Sequence, residues 1–289
     1  GEDTLSLHDA LPIWVIVLEK SRCGAGASGR NGGCMLTWST KYLSLRQLFG
    51  DSEARRLVAA SEQAVHDIAQ FCHTHQIDAE LRLGGAVYAA SQPAQVGRLD
   101  GVLAALDHIG ANRWQRLSSA DTLALTGSAQ MQHGAWTDAA GSLQPGKLVR
   151  GLLRVARQLG VQVYEHSAMH QLQEGDEVMV HAAAGRVRAR QAVLALNADM
   201  ARQFPVLANS VLLVSSDMVV TAPRPELMAR LGLDRGQAVC DLRTFVHYWR
   251  STPDGRLMLG KVLHIGLPAA GENLSWMLQF MVVTAFVGL

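Results

Sequence analysis

The sequence predicts a mixed α/β (α+β) fold, in which an incomplete nucleotide-binding domain is interleaved with a domain built on an antiparallel sheet. Residues 15–18 form an apolar, β-branched run that is typical of a buried parallel strand. Residues 24–33 are rich in glycine, which lets backbone N–H groups crowd around a phosphate or a ring edge. Residues 145–196 predict a helix, a strand, a hairpin and a second buried strand, which return the chain to the first sheet.

Three helices and a strand-rich insertion are predicted in chain order. From Asp51, as the N-cap, apolar residues recur at helical spacing to about residue 75 and predict one long amphipathic helix. Residues 81–90 predict two strand pieces around a glycine bend, and residues 99–109 predict a second helix. Residues 145–160 predict a third helix, because proline is favoured in the first helical turn and glycine just after the last.

The remaining elements are strands. Residues 161–164 predict a strand directly after the third helix, residues 178–189 predict a hairpin, and residues 192–196 predict a buried strand. The clearest hairpin joins residues 245–250 to residues 256–259, because the sequence between them places proline and glycine at favoured turn positions.

An acid ends the first strand. Glu19 stands at the sheet edge where a carboxylate commonly accepts hydrogen bonds from ribose hydroxyls, and with the glycines it indicates the second half of a dinucleotide-binding βαβ unit. The first half would carry Gly-x-Gly-x-x-Gly about twenty residues earlier, and residues 1–14 do not contain it. We expect residues 1–14 to be a foreign leader, with a native but divergent arm as the alternative.

The last residues also depart from the pattern. Residues 274–289 are apolar but several residues short of the roughly twenty that span a bilayer. Three interpretations stay open: out-of-frame translation, which we favour because the preceding pattern stops at Lys261, a buried helix, and the opening of a transmembrane helix.

Composition excludes some classes of partner. The chain has 289 residues and a formal net charge of +1, so nothing favours nucleic acid or an anionic membrane. Its four cysteines are widely spaced without a C-x-x-C motif, which suits a reducing compartment and makes the cytoplasm the expected location. Cys72 and the neighbouring histidines diverge along one helix, so no metal site is expected.

Four stretches resemble the FAD-dependent oxidoreductases of the D-amino acid oxidase/glycine oxidase (DAO) family, most closely the gamma-glutamylputrescine oxidase-like branch. They are residues 15–19 with 24–33, residues 83–86, residues 134–145 and residues 248–260. The resemblance implies a Rossmann-like FAD-binding domain without its first βα unit, an antiparallel-sheet substrate domain and a tail outside the family. The FAD-binding domain is expected to comprise residues 15–78 and 140–203, and the substrate domain residues 79–139 and 204–261. The tail is expected to comprise residues 262–289.

The resemblance also implies roles for individual residues. Glu19 would bind the adenosine ribose, Arg30 would supply positive charge along the pyrophosphate, and Met169 would lie against the adenine. The implied cofactor-binding residues are Glu19, Lys20, Ser28, Gly29, Arg30, Asn31, Gly32, Gly33, Met169, Ala195 and Asn197. On the substrate side, Tyr248 and Arg250 would orient an amine or its carboxylate. An ordinary loop, strand or core role is the alternative for each.

The implied chemistry is oxidation of the C–N bond of an amine or amino acid, with FAD as hydride acceptor at N5 and oxygen or another acceptor reoxidising it. One alternative is a related flavoprotein with a non-amine substrate. The other is a non-catalytic remnant that cannot hold FAD. Because the sequence lacks the first strand and helix of the nucleotide-binding unit, we expect this chain to bind FAD poorly or not at all and to be marginally folded.

Overall fold

The computed structural model describes residues 14–210, 215–243 and 246–263. Almost all of the expected leader and apolar tail therefore lies outside the described residues. The chain divides into two compact units: unit 1 comprises Gly1–Gly29 with Val149–Leu212, and unit 2 comprises Arg30–Leu148 with Leu213–Leu289. The expected domain ranges remain a prediction.

The α-helices are α1 (Tyr42–Phe49), α2 (Asp51–Thr74), α3 (Asp100–His108), α4 (Ser119–Thr126), α5 (Pro145–Gln158), α6 (Met200–Gln203) and α7 (Pro225–Arg230). The strands are β1 (Ile16–Leu18), β2 (Cys34–Met35), β3 (Ala86–Ala89), β4 (Trp114–Leu117), β5 (Gly134–Thr137), β6 (Gly141–Ser142), β7 (Gln162–Tyr164), β8 (Met169–Gln173), β9 (Val178–Ala182), β10 (Gly185–Ala189), β11 (Ser215–Val220), β12 (Ala238–Asp241), β13 (His247–Ser251) and β14 (Leu257–Leu263).

Unit 1 contains two small sheets. Strands β1 and β7 pair in parallel, with Val17 opposite Val163, as expected for consecutive strands of a βαβ arrangement. Strands β8, β9 and β10 form an antiparallel sheet in the order β10-β9-β8.

Unit 2 is built on a seven-stranded sheet in the order β11-β14-β13-β12-β3-β5-β4. Its neighbouring strands are antiparallel except β12 and β3, which run parallel. Strands β2 and β6 form a separate antiparallel pair. The largest apolar clusters of the described residues lie in this unit: one packs α1, α2 and α3 around Leu103 and Leu106, and another surrounds Val239 and Trp249.

The three long helices and both hairpins agree with the sequence prediction, with small changes at their ends. Gly50, with φ +82°, is the N-cap of α2, and Asp51 is its first residue rather than its cap. The structure adds elements that the sequence pattern did not single out: the helices α1, α4, α6 and α7 and the strands β2, β4, β5, β6, β8, β11 and β12.

Three predictions about strands are wrong. Of the two strand pieces predicted around the glycine bend, only β3 is formed, because Arg82 makes just an isolated bridge with Ser142. The first strand is not buried: Val15, Ile16 and Val17 are 42%, 38% and 40% exposed, because β7 is its sole neighbouring strand among the described residues. Residues 192–196 do not form a strand in this structure. Val193 is 92% exposed, because this segment pairs with no strand in the described part of the chain.

Within the described ranges, no helix has both the length and the apolar character needed to cross a membrane.

Candidate functional site

The glycine-rich segment 24–33, here called the glycine box, ends in two buried glycines in unit 2. Gly33 has φ +64°, and its carbonyl accepts the Leu143 N–H at 2.8 Å. A Cβ at Gly33 would overlap the Leu143 carbonyl, so neither the backbone conformation nor the space admits a side chain. The Gly33 N–H donates to Asn31 Oδ1 at 2.8 Å, which closes the turn from within.

Strand β13 carries Tyr248 and Arg250 to these glycines, since residues two apart on a strand lie on the same face. Arg250 Nε donates to the Gly32 carbonyl at 2.6 Å. The Tyr248 ring lies against both Gly32 and Gly260, and a Cβ at either glycine would overlap it. The Tyr248 hydroxyl donates to Met218 Sδ at 3.1 Å. Two side chains of one strand are thus in contact with the end of the glycine box.

The guanidinium group at this contact is buried, and burial also affects the neighbouring thiol. Arg250 is 4% exposed, and burial lowers the pKa of its guanidinium. Burial raises the pKa of the neighbouring Cys34 thiol to about 11, although the charge of Arg250 acts in the opposite direction. Cys34 therefore stays a neutral thiol near neutral pH and is not a candidate nucleophile.

In unit 1, Glu19 follows β1 directly. Its N–H donates to the Tyr164 carbonyl at 2.9 Å and its carbonyl accepts the Ser167 N–H at 2.8 Å, so its backbone continues the pairing of β1 with β7. Its Oε1 accepts the Ser21 N–H at 2.8 Å. The exposed Lys20 forms an ion pair with Asp199, 3.5 Å from Nζ to Oδ2.

The first part of the glycine box also lies in unit 1. The Gly29 N–H donates to the Gly26 carbonyl at 3.2 Å, and a Cβ at Gly29 would overlap the backbone of Gly24. Ser28 is exposed, as is Arg30 at the start of the unit 2 segment. This part of the box is therefore a tight, glycine-dependent turn.

The other predicted cofactor residues occupy less defined positions. Met169 begins β8, opposite Ala182, and is half-buried. Ala195 is exposed and lies outside any strand, and Asn197, with φ +50°, opens a short 3-10 helix. Ala195 and Asn197 therefore do not stand at the end of a buried strand, because the strand predicted over residues 192–196 is not formed.

Within unit 2, the structure brings together Asn31, Gly32, Gly33, Tyr248 and Arg250. Within unit 1, it places Glu19 and Lys20 at the end of β1. Sequence reasoning missed Leu143, which holds Gly33 through its backbone, and Asp199, the partner of Lys20. A backbone contact made by a residue 110 positions away leaves no signal in side-chain patterns.

Comparison with known proteins shows which family this chain belongs to. The chain is 30% identical over 249 residues to gamma-glutamylputrescine oxidoreductase of Escherichia coli, and 28% identical over 251 residues to the probable oxidoreductase OrdL of Rhizobium meliloti. Each match covers 85% of this chain and 58% of the relative, so the chain spans little more than half the length of these relatives.

Solved structures share the fold. Glycine oxidase from Geobacillus kaustophilus matches with a TM-score of 0.61 and 19% identity, over 89% of this chain and 68% of that one. Iminodiacetate oxidase from Chelativorans sp. matches with a TM-score of 0.65 and 14% identity, over 96% and 72%. Residues 5–278 match the family model described as FAD dependent oxidoreductase, DAO, which confirms the predicted family and its cofactor. The chain belongs to the FAD-dependent oxidoreductases of the DAO family.

Proposed function

We propose that this chain acts as an FAD-dependent oxidoreductase that oxidises the C–N bond of an amine or amino acid. The contact of Tyr248 and Arg250 with Gly32 supports it most directly, because it joins a phenol and a guanidinium to the end of the glycine box. The names of two similar proteins, gamma-glutamylputrescine oxidoreductase and glycine oxidase, support an amine or amino-acid substrate.

The fit to FAD rests on the end of β1 in unit 1. The Glu19 carboxylate stands at the carboxyl end of a parallel strand, where it would accept hydrogen bonds from the ribose hydroxyls. In unit 2, the space beside Gly32 and Gly33 is filled by the Tyr248 ring and the Leu143 carbonyl, so these glycines bring Tyr248 and Arg250 close to the end of the glycine box.

We assign the other predicted residues to the same cofactor as proposals. Ser28, Gly29, Arg30 and Asn31 would lie along the pyrophosphate, with Arg30 contributing charge. Lys20 would support Glu19, Met169 would contact the adenine, and the backbone at Ala195 and Asn197 would lie nearby.

When bound, FAD would accept at N5 the hydride from the carbon beside the amine nitrogen. The part of this chain is to bind and orient: the Tyr248 phenol and the Arg250 guanidinium hold the amine or its carboxylate. No side-chain base is needed once the amine is neutral. Oxygen or another acceptor would complete the turnover, and the resulting imine would be hydrolysed by water.

Bleaching of the visible flavin absorption tests this proposal. The purified chain is loaded with excess FAD, made anaerobic and mixed with matched pairs such as glycine and glycolate or alanine and lactate. Bleaching by the amines alone is expected, followed in air by peroxide release. Bleaching by hydroxy acids alone would instead identify a flavoprotein with different chemistry.

Two variants sharpen the result. Tyr248→Phe and Arg250→Met are expected to lower the rate of bleaching, whereas Arg116→Met, which changes an exposed arginine on β4, serves as the matched control. If the wild-type chain takes up no FAD even at millimolar concentration, the chain is a non-catalytic remnant and the proposal fails.

The four cysteines are free thiols, which supports the cytoplasm as the proposed location.

A further inference from the structure

Arg82 lies outside the predicted site but is bonded to residues on both sides of it. Its backbone forms a bridge with Ser142, in which the N–H of each residue donates to the carbonyl of the other at 2.8 Å. Its guanidinium donates from Nη2 to the carbonyl oxygen of Ser251 and, at 3.3 Å, to the Ser251 hydroxyl. Nη1 donates to the Asp234 carbonyl at 3.3 Å. Arg82 thus ties three separate chain segments together.

A single carbonyl connects Arg82 to Arg250. Arg250 Nη1 donates to the same Ser251 oxygen at 3.3 Å, while Arg250 Nε holds the Gly32 carbonyl at 2.6 Å. The Ser251 carbonyl therefore accepts from two guanidinium groups, and the position of one group constrains the other.

The backbone of Arg82 reaches the glycine box by a second route. Its partner Ser142 precedes Leu143, whose N–H donates to the Gly33 carbonyl at 2.8 Å. Gly236, with φ +79°, supports this arrangement, because a Cβ there would overlap the Arg82 side chain. The end of the glycine box is held from both directions by segments that meet at Arg82.

The charges of this arrangement are only partly offset by acids: Glu80 favours the charged form of both Arg82 and Arg250, and Asp234 favours that of Arg82. Neither Arg82 nor Arg250 forms an ion pair with a carboxylate within the described ranges. Burial lowers the pKa of Arg82, and the charge of Arg250 lowers it further. Arg82 Nε is buried without a hydrogen-bond partner in that part of the chain. Arg250 is buried and Arg82 is half-buried. Holding two cations close together with little solvent around them costs folding free energy, which indicates a role beyond packing.

We propose that Arg82 is a positioning residue: by holding the Ser251 carbonyl that Arg250 shares, it keeps Arg250 on the Gly32 carbonyl and adds positive charge beside the glycine box. This inference rests on the proposed function, in which the glycine box contacts the anionic cofactor. Paired guanidinium groups favour a nearby anion, so the arrangement fixes the shape of the box and also increases its affinity for a negatively charged ligand.

A double-mutant cycle tests whether Arg82 acts through Arg250. Amide hydrogen exchange at Leu143 reports on its bond to Gly33 and is measured without flavin in wild type, Arg82→Met, Arg250→Met and the double variant. Arg82→Met is expected to speed this exchange about tenfold in the wild-type background and to have less than about a twofold effect when Arg250 is already replaced. Independent effects that multiply in the double variant would overturn the proposal.

Controls separate positioning from general loss of structure. Exchange at Val87 and Trp136, in the β3–β5 pairing, must stay unchanged, and Arg116→Met must leave the Leu143 amide unaffected. If Arg82→Met unfolds, Arg82→Lys replaces it in the cycle. That variant keeps the positive charge but has one donor nitrogen in place of the three of the guanidinium. The exchange rate at Leu143 is therefore expected to fall between those of wild type and Arg250→Met. An exchange rate equal to that of wild type would count against the proposal.

Flavin affinity provides the second measurement. Quenching of flavin fluorescence is titrated on the same proteins, with an expected weakening of about tenfold for Arg82→Met and partial recovery for Arg82→Lys. If no protein binds flavin but the exchange cycle shows coupling, the proposed function fails and the positioning role stands. Equal affinity in wild type and Arg82→Met would contradict the contribution of Arg82 to anion binding.

Discussion

Strands β1 and β13 differ both in the polarity of their sequences and in their exposure to solvent, and the two differences run in opposite directions. β1 of unit 1 has the sequence Ile-Val-Leu, yet Ile16 and Val17 are 38% and 40% exposed. β13 of unit 2 has the sequence His-Tyr-Trp-Arg-Ser, yet Trp249, Arg250 and Ser251 are 2%, 4% and 1% exposed. The more polar strand is the more deeply buried.

The number of neighbouring strands explains the difference. β13 lies between β12 and β14, whereas β1 pairs with β7 alone in the described part of the chain. The exposure of a strand therefore depends on its place in the sheet. The residue types in the strand determine only how much free energy is gained or lost when that place is buried. Polar groups survive in β13 because each finds a partner, as Arg250 does at Gly32 and Ser251 at Leu233.

Truncation of one large apolar side chain in each strand should show this contrast most strongly, because Trp249 is buried and Val17 is exposed. Trp249→Ala opens a cavity among Val239, Leu257 and their neighbours and loses the Trp249 Nε1–H bond to the Thr126 carbonyl, at 3.1 Å. We expect it to lower the free energy of unfolding by about 3–5 kcal/mol. Val17→Ala in β1 should lower it by less than about 1 kcal/mol. Urea denaturation measures both, and equal losses would contradict the difference in burial.

A comparison of acidic residues gives the next largest effect. Asp241 is 1% exposed and accepts from Arg243 Nε at 3.0 Å and from the His247 N–H at 3.0 Å. Asp241→Ala should lower the free energy of unfolding by about 3 kcal/mol, because it leaves Arg243 without its carboxylate. Asp199→Ala, which removes the exposed ion pair to Lys20, should change it by less than about 0.5 kcal/mol. Denaturation curves that shift equally for both variants would refute this assignment.

Two glycines of the glycine box differ in the space around them. A Cβ at Gly32 would overlap the Tyr248 ring, whereas nothing lies within 4 Å of a Cβ at Gly26. Gly32→Ala should lower the free energy of unfolding by about 2 kcal/mol through overpacking, and Gly26→Ala should have little effect. Adding Tyr248→Ala to Gly32→Ala should remove the overlap, so the double variant must lose less than the sum of the single losses.

Cys34 predicts a smaller, pH-dependent effect. Because its pKa is raised to about 11 by burial, the folded chain binds the thiol proton more tightly than the unfolded chain, and stability falls as pH rises from the ordinary thiol pKa toward about 11. Between about pH 8 and about pH 10, wild type should lose about 1 kcal/mol more than Cys34→Ser, measured by urea denaturation. An identical pH dependence of the two proteins would show that Cys34 is not held as a buried neutral thiol.

Much of the fold could be predicted from the sequence because local patterns specify it. Apolar spacing identified α2, α3 and α5, and the Pro-Asp-Gly turn identified the β13–β14 hairpin. The strand prediction for residues 192–196 failed because it depends on a distant partner. An apolar run forms a strand only when another strand is available to pair with it. Nothing in five local residues reports that partner.

The candidate site divides in the same way. The glycine box was found from its composition, whereas Tyr248 and Arg250 were expected in the site only because the resemblance to the DAO family implies it. Arg82 and Leu143 could not be found, because they reach the box through backbone atoms of segments distant in sequence. The sequence likewise gave no sign that Arg250 is bonded to Gly32, since that bond depends on the sheet that places β13 there.

Hydrogen exchange with and without FAD tests most directly whether the end of the glycine box and β13 form the flavin-contacting surface. ADP, which carries the adenosine and pyrophosphate without the flavin, is the matched control ligand. Weak binding would raise the concentration of FAD required without moving the protected residues. FAD should slow exchange in residues 32–34 and 248–251 beyond the effect of ADP. Equal protection by ADP, or none in these segments when flavin binding is saturated, would contradict this assignment.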